Sequence, residues 1–390
     1  MLEVTPRPLP RHPILDWSSL FSVGATSISS IESLRHQAFT TSGRAAIYQA
    51  LLQLKLPRGS TVLVPSYHCP TMIAPIFLAH LKVAYFAITD EGLPNLLSID
   101  DSASDGCKAM LVSHYFGFAN SLHAVRAWCD ARSIALIEDC AHCYFGRAGE
   151  RSVGAWGDYS TASISKFFPV QEGGVLASDS RTISNLNLGP ATLKDQIKGF
   201  FDIVETSNKY GGFKGLNTSI NFLLGIKKLF KLHKKKSLVA TNDEIIEYCD
   251  MGRINKKMLC SSFIVLQSLP RKFITEKRRK NYFQYENFFR STVGARPLLT
   301  IKEISTSEIS PYVFPLWVDD ADRIYQSLKA TGLPVFRWDK VWPDTPQLAN
   351  DAGPRWSVHV LQLLCHQNLR ESDINLISSA ILKLLPNQAA

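Results

Sequence analysis

The sequence predicts an α/β protein: a large unit built on a mostly parallel sheet with helices on both faces, followed by a smaller α/β unit. Three observations carry this. Short apolar or β-branched runs alternate with helical patterns from Arg44 to about residue 178, the order that a parallel sheet needs. The chain has 390 residues, 45% of them hydrophobic, enough for a sizeable core and for more than one unit. Residues that bear chemistry (Gly43, Tyr67, His68, His114, Asp139 and Lys166) fall in turns or near strand ends. Ligands of such sheets gather beyond the carboxyl ends of the strands.

Taken in order, residues 1–40 form an arm with short elements, because Pro6, Pro8, Pro10 and Pro13 discourage a helix at its start. Thr41-Ser42-Gly43 precedes a helical pattern from Arg44 to about Leu54, which Pro57 closes. Free backbone N–H groups at that helix start are either a phosphate seat or an ordinary N-cap. Thr61 to Val64 is a β-branched strand ended by Pro65-Ser66, and Pro70 opens a helix to about His80. Lys82 to Ala87 is a strand, residues 88–106 an acidic, irregular connection, and Lys108 to Ser113 another strand. Residues 122–132 are helical, Ile134 to Ile137 is a strand ending in Glu138-Asp139, and 157–163 and 174–178 are two more. The large unit is therefore placed at 41–250, a helical connection at 251–293 and the small unit at 294–390. In the small unit the strand candidates lie near Tyr312–Trp317 and Val335–Trp338, with a helix from about Glu371.

Charge and cysteine usage narrow the class. Lys plus Arg exceed Asp plus Glu by nine, which favours an anionic small molecule, an acidic membrane surface or nucleic acid. No nucleic-acid-binding motif accompanies the charge, so nucleic acid ranks last. Ser219 to Lys236 is apolar and then strongly basic; it is either a helix with one buried side or a weak membrane-surface contact. The eight cysteines are scattered, as in reduced cytoplasmic proteins. Cys140 and Cys143 make a C-x-x-C with no second pair at zinc-ribbon spacing, so no metal is expected. The start of the chain lacks the apolar core of a signal peptide, and no run of about twenty apolar residues exists.

The residues from Ser160 to Ala177 place one lysine, Lys166, among Ser160, Thr161, Ser163 and Ser165, with Gly173-Gly174 seven residues on. A lone amine among hydroxyls suits an anionic, aldehyde-bearing ligand: the amine forms an imine and the hydroxyls hydrogen-bond phosphate oxygens. Four blocks recur in order: Ser42-Gly43-Arg44-Ala45-Ala46, Val64-Pro65-Ser66-Tyr67-His68, Ile137-Glu138-Asp139-Cys140-Ala141-His142, and Lys166 with Glu172-Gly173-Gly174. Together they resemble the DegT-type nucleotide-sugar aminotransferases, pyridoxal-phosphate enzymes of the aspartate-aminotransferase fold (fold type I). The resemblance covers roughly residues 35–390 and is best from 41 to 178.

That resemblance implies roles. Lys166 is the Schiff-base lysine and Asp139 pairs with the pyridinium nitrogen. Gly43 and Arg44, beside Ser42, offer backbone N–H groups to the phosphate, and Ser165 and Thr161 add hydroxyls. Tyr67 or His68 stacks on the ring. His142 stands where the family usually has glutamine, and its charge is expected to depend on pH. Arg44 replaces the usual threonine, His68-Cys69 a threonine–aromatic pair, and Phe167-Phe168-Pro169 follows the lysine where asparagine is common. The implied activity is a cytoplasmic, homodimeric transaminase. It would move an amino group from an amino acid such as glutamate to a ketone on a nucleotide-linked sugar. Two other outcomes follow from the same residues: a pyridoxamine-dependent sugar dehydratase, and a binding or regulatory homologue without turnover.

Overall fold

The computed structural model describes residues 8–22, 28–99, 106–216, 218–219, 245–300, 309–338, 342 and 345–386. Its centre is a seven-stranded sheet built from β1 (His36–Thr40), β2 (Thr61–Pro65), β3 (Lys82–Phe86), β4 (Cys107–Ser113), β5 (Ala135–Asp139), β6 (Tyr159–Ser163) and β7 (Gly174–Ser178). The spatial order is β1-β7-β6-β5-β4-β2-β3. Strand β7 runs antiparallel to both its neighbours, and the other pairs are parallel. Helices cover both faces, so the inner strands read as unbroken apolar runs such as Ala109–Val112, all essentially inaccessible. This is the predicted α/β class.

The helices obey local signals. Ser42 caps α1 (Gly43–Leu54), its Oγ accepting from the Ala45 N–H, and Lys55 ends it in the left-handed region at φ 50°. Pro70 starts α2 (Pro70–Leu78) at the one helical position where its missing N–H costs nothing. Helix α3 (His123–Ala131) leads into β5. A capping box, Thr192 with Asp195, opens α4 (Leu193–Lys209). Helices α5 (Cys260–Ser268) and α6 (Arg271–Phe289) lie within the span 251–293, whose first nine residues are not helical.

Beyond it, β8 (Ala295–Pro297), β9 (Val313–Val318), β10 (Val335–Phe336) and β11 (Val360–Leu364) form a second, antiparallel sheet in the order β8-β9-β11-β10. Helices α7 (Ala321–Ala330), α8 (Gly353–His359) and α9 (Glu371–Leu382) belong to this lobe. Its core joins Phe314, Leu316, Leu361 and Leu363 of the sheet to Tyr282, Tyr285 and Phe289 of α6 and to Ile374, Ile377 and Ile381 of α9.

The arm differs from its expected limits. Residues 36–40, placed in it by the sequence, are the edge strand β1, paired with β7 from His36↔Ser178 to Thr40↔Gly174. A half-exposed edge strand needs no continuous apolar run, so its mixed His-Gln-Ala-Phe-Thr gives little signal. The earlier part of the arm reaches the C-terminal lobe: Leu9 is buried in that core, the Ile14 N–H donates to Asn368 Oδ1 at 3.0 Å, and His366 Nε2 meets the Pro10 carbonyl at 2.9 Å. The basic stretch 219–236, apart from its first residue, lies outside the described residues. Among the described residues no helix is long and apolar enough to cross a membrane.

Gly173 and Gly174 let the start of β7 press against the cap of α1. Gly173 sits at φ +126° and its N–H donates to the Thr41 carbonyl at 2.8 Å. A Cβ on Gly174 would meet the Ser42 carbonyl oxygen at 2.2 Å, so there is no room for one. Gly174→Ala is expected to cost about 3 kcal/mol, the upper end of overpacking penalties. Urea unfolding against the parent would show it, and an unchanged midpoint would contradict the contact.

Candidate active site

The carboxyl ends of β4, β5 and β6 and the amino end of α1 surround a cavity of about 210 Å³. Ser42, Gly43, Arg44, Ser163 and Ser165 give it a polar wall, and Tyr115, His142 and Trp338 an aromatic one. Asp139 and Lys166 both line it. Lys166 ends a short 3₁₀ turn, Ile164–Lys166, after β6, and Asp139 ends β5. Two adjacent parallel strands thus deliver the amine and the carboxylate to one space.

Burial pulls the Lys166 ammonium below its ordinary value, and the Arg44 charge adds to that effect. Cys69 and Asp139 work the other way. Its Nζ lies 5.2 Å from the centre of the Tyr312 ring. Burial raises the Asp139 carboxyl. Lys166, the Ala141 N–H (3.0 Å to Oδ1), His114 and Thr161 all favour its charged form. Thr161 stands directly beside Asp139 in the β5–β6 register.

Behind this pair lies a satisfied acid. Glu138 is fully buried, yet its Oε1 accepts from Gly154 N–H (2.6 Å) and lies 2.8 Å from His114 Nε2. Oε2 accepts from Trp156 and Gly157 N–H at 3.0 and 3.2 Å. The sequence marks Asp139 by its place at a strand end; the structure shows that Glu138, one residue earlier, shapes the 154–157 turn instead. Cys140 lies close to His114 and Glu138, but the carboxylate oxygens of this cluster are already filled by hydrogen-bond donors. Burial pushes the Cys140 and Cys143 thiols up, so they stay protonated and are poor metal ligands or nucleophiles.

The predicted site residues separate into two groups. Ser42, Gly43, Arg44, Asp139, His142, Ser165 and Lys166 come together around the cavity. Tyr67, His68 and Thr161 are not among its lining residues. Tyr67 is packed behind it against Tyr115, Trp338 and Trp356, at ring separations of 5.6, 5.0 and 5.5 Å. His68 is turned away because its Nδ1 is held at 3.1 Å from the Pro65 carbonyl and 3.0 Å from that of Ser66, and its ring stacks on Tyr85. Neither ring therefore faces the cavity, where one of them was expected to stack, whereas the next residue, Cys69, lines its wall. Thr161 lies beside Asp139 on the neighbouring strand, and Ser163, two residues on along the same strand face, contributes the hydroxyl at the cavity.

His142 also departs from expectation. Burial, with the Lys166 charge, drives its pKa well below the usual histidine value, so the ring stays neutral instead of following pH near neutrality. It stacks on Tyr312 at 4.5 Å and meets Trp338 at 5.3 Å. Trp338 is the residue that sequence reasoning missed. It follows β10 in the other lobe, and no spacing connects it to Lys166.

The lining suits a phosphorylated aromatic aldehyde. The polar wall suits a phosphate: α1 presents the free N–H groups of its first turn there, beside two serine hydroxyls. The aromatic wall suits a planar ring, Asp139 a protonated ring nitrogen, and Lys166 an aldehyde carbon. The donor set therefore fits pyridoxal 5′-phosphate.

The comparisons agree. The sequence model of the DegT/DnrJ/EryC1/StrS aminotransferase family matches residues 29–251, and the chain belongs to that family, whose cofactor is pyridoxal phosphate. GDP-perosamine synthase of Vibrio cholerae is 27% identical over 163 residues, which are 40% of this chain and 44% of that protein. The match thus spans less than half of that relative's length. Among solved structures, Helicobacter pylori PseC, an aminotransferase of pseudoaminic acid biosynthesis, superposes with a TM-score of 0.62 at 15% identity, over 97% of this chain and 99% of that one. GDP-4-keto-6-deoxy-D-mannose-3-dehydratase of E. coli, with bound hydrated pyridoxal phosphate, gives 0.58 at 16%, over 90% and 88%. These likenesses show fold type I.

Proposed function

We propose that the chain is a pyridoxal-phosphate-dependent aminotransferase. It takes an amino group from an amino acid such as glutamate and passes it to a ketone on a nucleotide-linked sugar. Surface-polysaccharide assembly is a fitting setting for such a product. The observation that carries the proposal is the meeting of Lys166 and Asp139 in one cavity with a helix amino end on its wall. The ketosugar acceptor is supported by the family and by the perosamine synthase match.

Bound there, the cofactor would supply an electron-withdrawing ring that acidifies the substrate Cα–H. This chain's residues do the rest. The first turn of α1 with Ser163 and Ser165 holds the phosphate. Asp139 holds a proton at the ring nitrogen. Neutral His142 offers a hydrogen bond at the ring edge without adding charge. Lys166, once freed, would carry a proton between the substrate Cα and the carbon that bore the cofactor aldehyde, on either side of the nitrogen, which an amine of lowered pKa does well near neutrality.

The test is twofold. Purified protein with pyridoxal phosphate should show a visible band and an adduct on Lys166 that borohydride reduces and traps. The pyridoxamine form, offered a panel of keto-sugar nucleotides, should return aminated sugars by mass spectrometry, with ping-pong kinetics when a donor is added. Failure of every ketone to react would sink the acceptor assignment. Adduct formation should rise with pH to a midpoint below the value of a free lysine, about 10.4, because burial favours the neutral amine. A midpoint at or above that value would contradict the buried amine.

Two other readings rank below. A dehydratase on this fold uses histidine in place of the lysine, and Lys166 is present. A binding homologue without turnover is favoured only by the altered Arg44 and His68-Cys69 positions; cofactor binding with no transfer from any donor would support it. A homodimer in the cytoplasm is the assembly and place we propose. The family supports the first, and eight cysteines that form no disulfide, six of them buried, support a reducing compartment. Sedimentation mass tests the dimer.

A further inference from the structure

The turn that carries Lys166 is held by a charge from the other lobe. Arg278, on α6, is completely buried. Its Nη2 donates to the Lys166 carbonyl at 2.7 Å, and its Nη1 to the carbonyls of Pro311 and Tyr312 at 3.1 and 3.3 Å. Its Nε donates to Gln367 Oε1 at 3.0 Å, and the Gln367 amide in turn donates to the Phe167 carbonyl at 2.8 Å. The guanidinium also lies 4.5 Å over the Phe167 ring. Two consecutive carbonyls of the lysine turn are thus gripped by side chains that begin in α6 and just after β11. Among the described residues no carboxylate pairs with Arg278: its acceptors are neutral oxygens. Burial lowers its pKa to about 10, which still leaves it charged at neutral pH.

Burying a cation without a counter-ion is unfavourable, so its presence here calls for a role beyond packing. The geometry gives one. Arg278 grips the backbone of Lys166 and of Tyr312 together. The Tyr312 ring lies below Lys166 Nζ and stacks on His142. One side chain therefore sets the lysine, the ring beneath it and the neighbouring histidine in register.

We propose that Arg278, seconded by Gln367, is a positioning residue that aims the Lys166 amine into the cavity and makes its alignment depend on the docking of the C-terminal lobe. This rests on the proposed role of Lys166. The step it serves is condensation: the Nζ lone pair adds to the aldehyde carbon of pyridoxal phosphate, a C=N bond forms and water leaves. Guanidinium, with five donors in a fixed fork, can hold these acceptors at once; an ammonium cannot.

The experiment compares two ligands that differ in their need for the lysine. Pyridoxal 5′-phosphate must react with Lys166, whereas pyridoxamine 5′-phosphate has no aldehyde and binds without it. In Arg278→Gln, borohydride-trapped adduct on the Lys166 peptide should form about 100-fold more slowly, the loss an ångström of misalignment brings. Affinity for pyridoxamine phosphate, read by calorimetry, should stay close to the parent's. Arg278→Lys should recover part of the rate. Gln367→Leu, which keeps the cation, gives a second measure should the first variant not fold, and it should slow trapping in the same selective way. Equal losses toward both ligands would make Arg278 a structural residue only and overturn the proposal, as would trapping at the parental rate. If the parent itself gives no adduct, the aminotransferase proposal fails; if the parent reacts and the variants match it, only the positioning role fails.

Discussion

Lys166→Ala removes the visible absorption of the protein–cofactor mixture, leaves nothing for borohydride to trap, and lowers amino transfer by at least ~10⁴-fold. Two losses combine in that figure. The amine that would hold the aldehyde is gone, and so is the group that would carry the proton, because Lys166 is the only lysine among the described residues that line the cavity. The effect should not come from unfolding. Burial already disfavours the Lys166 ammonium, so its removal takes a costly group out of the interior. The variant should still bind pyridoxamine phosphate, because the α1 amino end, Ser163, Ser165 and Asp139 are untouched. Absorbance, trapping followed by peptide mass, and calorimetry read these three outcomes separately. A reducible adduct that persists in the alanine variant would place the reactive amine elsewhere and end the proposed chemistry.

How much of this was legible beforehand depended on the distance over which each signal acts. Parallel strands announce themselves locally: Val62-Leu63-Val64 and Ala109–Val112 are apolar because both faces are covered, and their run lengths need no partner to be read. The place of Asp139 and Lys166 was readable for the same reason, since strand ends in such a sheet converge on one rim. Edge strand β1 was not, because one neighbour and a half-exposed face leave its composition nearly free. Rotamer-level facts were also out of reach. Tyr67 and His68 sit in the right turn, but which way each ring points is decided by carbonyls of Pro65 and Ser66 and by the rings of Tyr85 and Trp356. The neutral state of His142 follows from burial, a property of the folded whole. Trp338 reaches the cavity, and Arg278 and Gln367 the lysine turn, from beyond residue 270, and no periodicity joins residues so far apart.

The second large effect is expected of Asp139→Asn. The amide matches the carboxylate in shape and can still accept the Ala141 N–H, so the cavity should keep its form. What it loses is the negative charge that would keep a proton on the ring nitrogen. Transfer should fall about 10²- to 10⁴-fold, while affinity for pyridoxamine phosphate falls much less. A stability measurement sharpens the test, because charge here opposes folding. The folded Asp139 carboxyl binds its proton more tightly than an unfolded aspartate, burial outweighing the help of Lys166, Ala141, His114 and Thr161. For a raised carboxyl the favourable contribution is complete below the unfolded value, about 3.9, and is lost as pH climbs through the folded one. Above that window Asp139 is a net cost. The cofactor-free asparagine variant should therefore melt at a higher temperature than the parent at neutral pH, with the gap closing as pH approaches the unfolded carboxyl range. Higher stability together with lost transfer is what a charge kept for chemistry produces. A variant that transfers at the parental rate, or that is less stable at pH 7 than at pH 4 relative to the parent, would remove Asp139 from the role assigned to it.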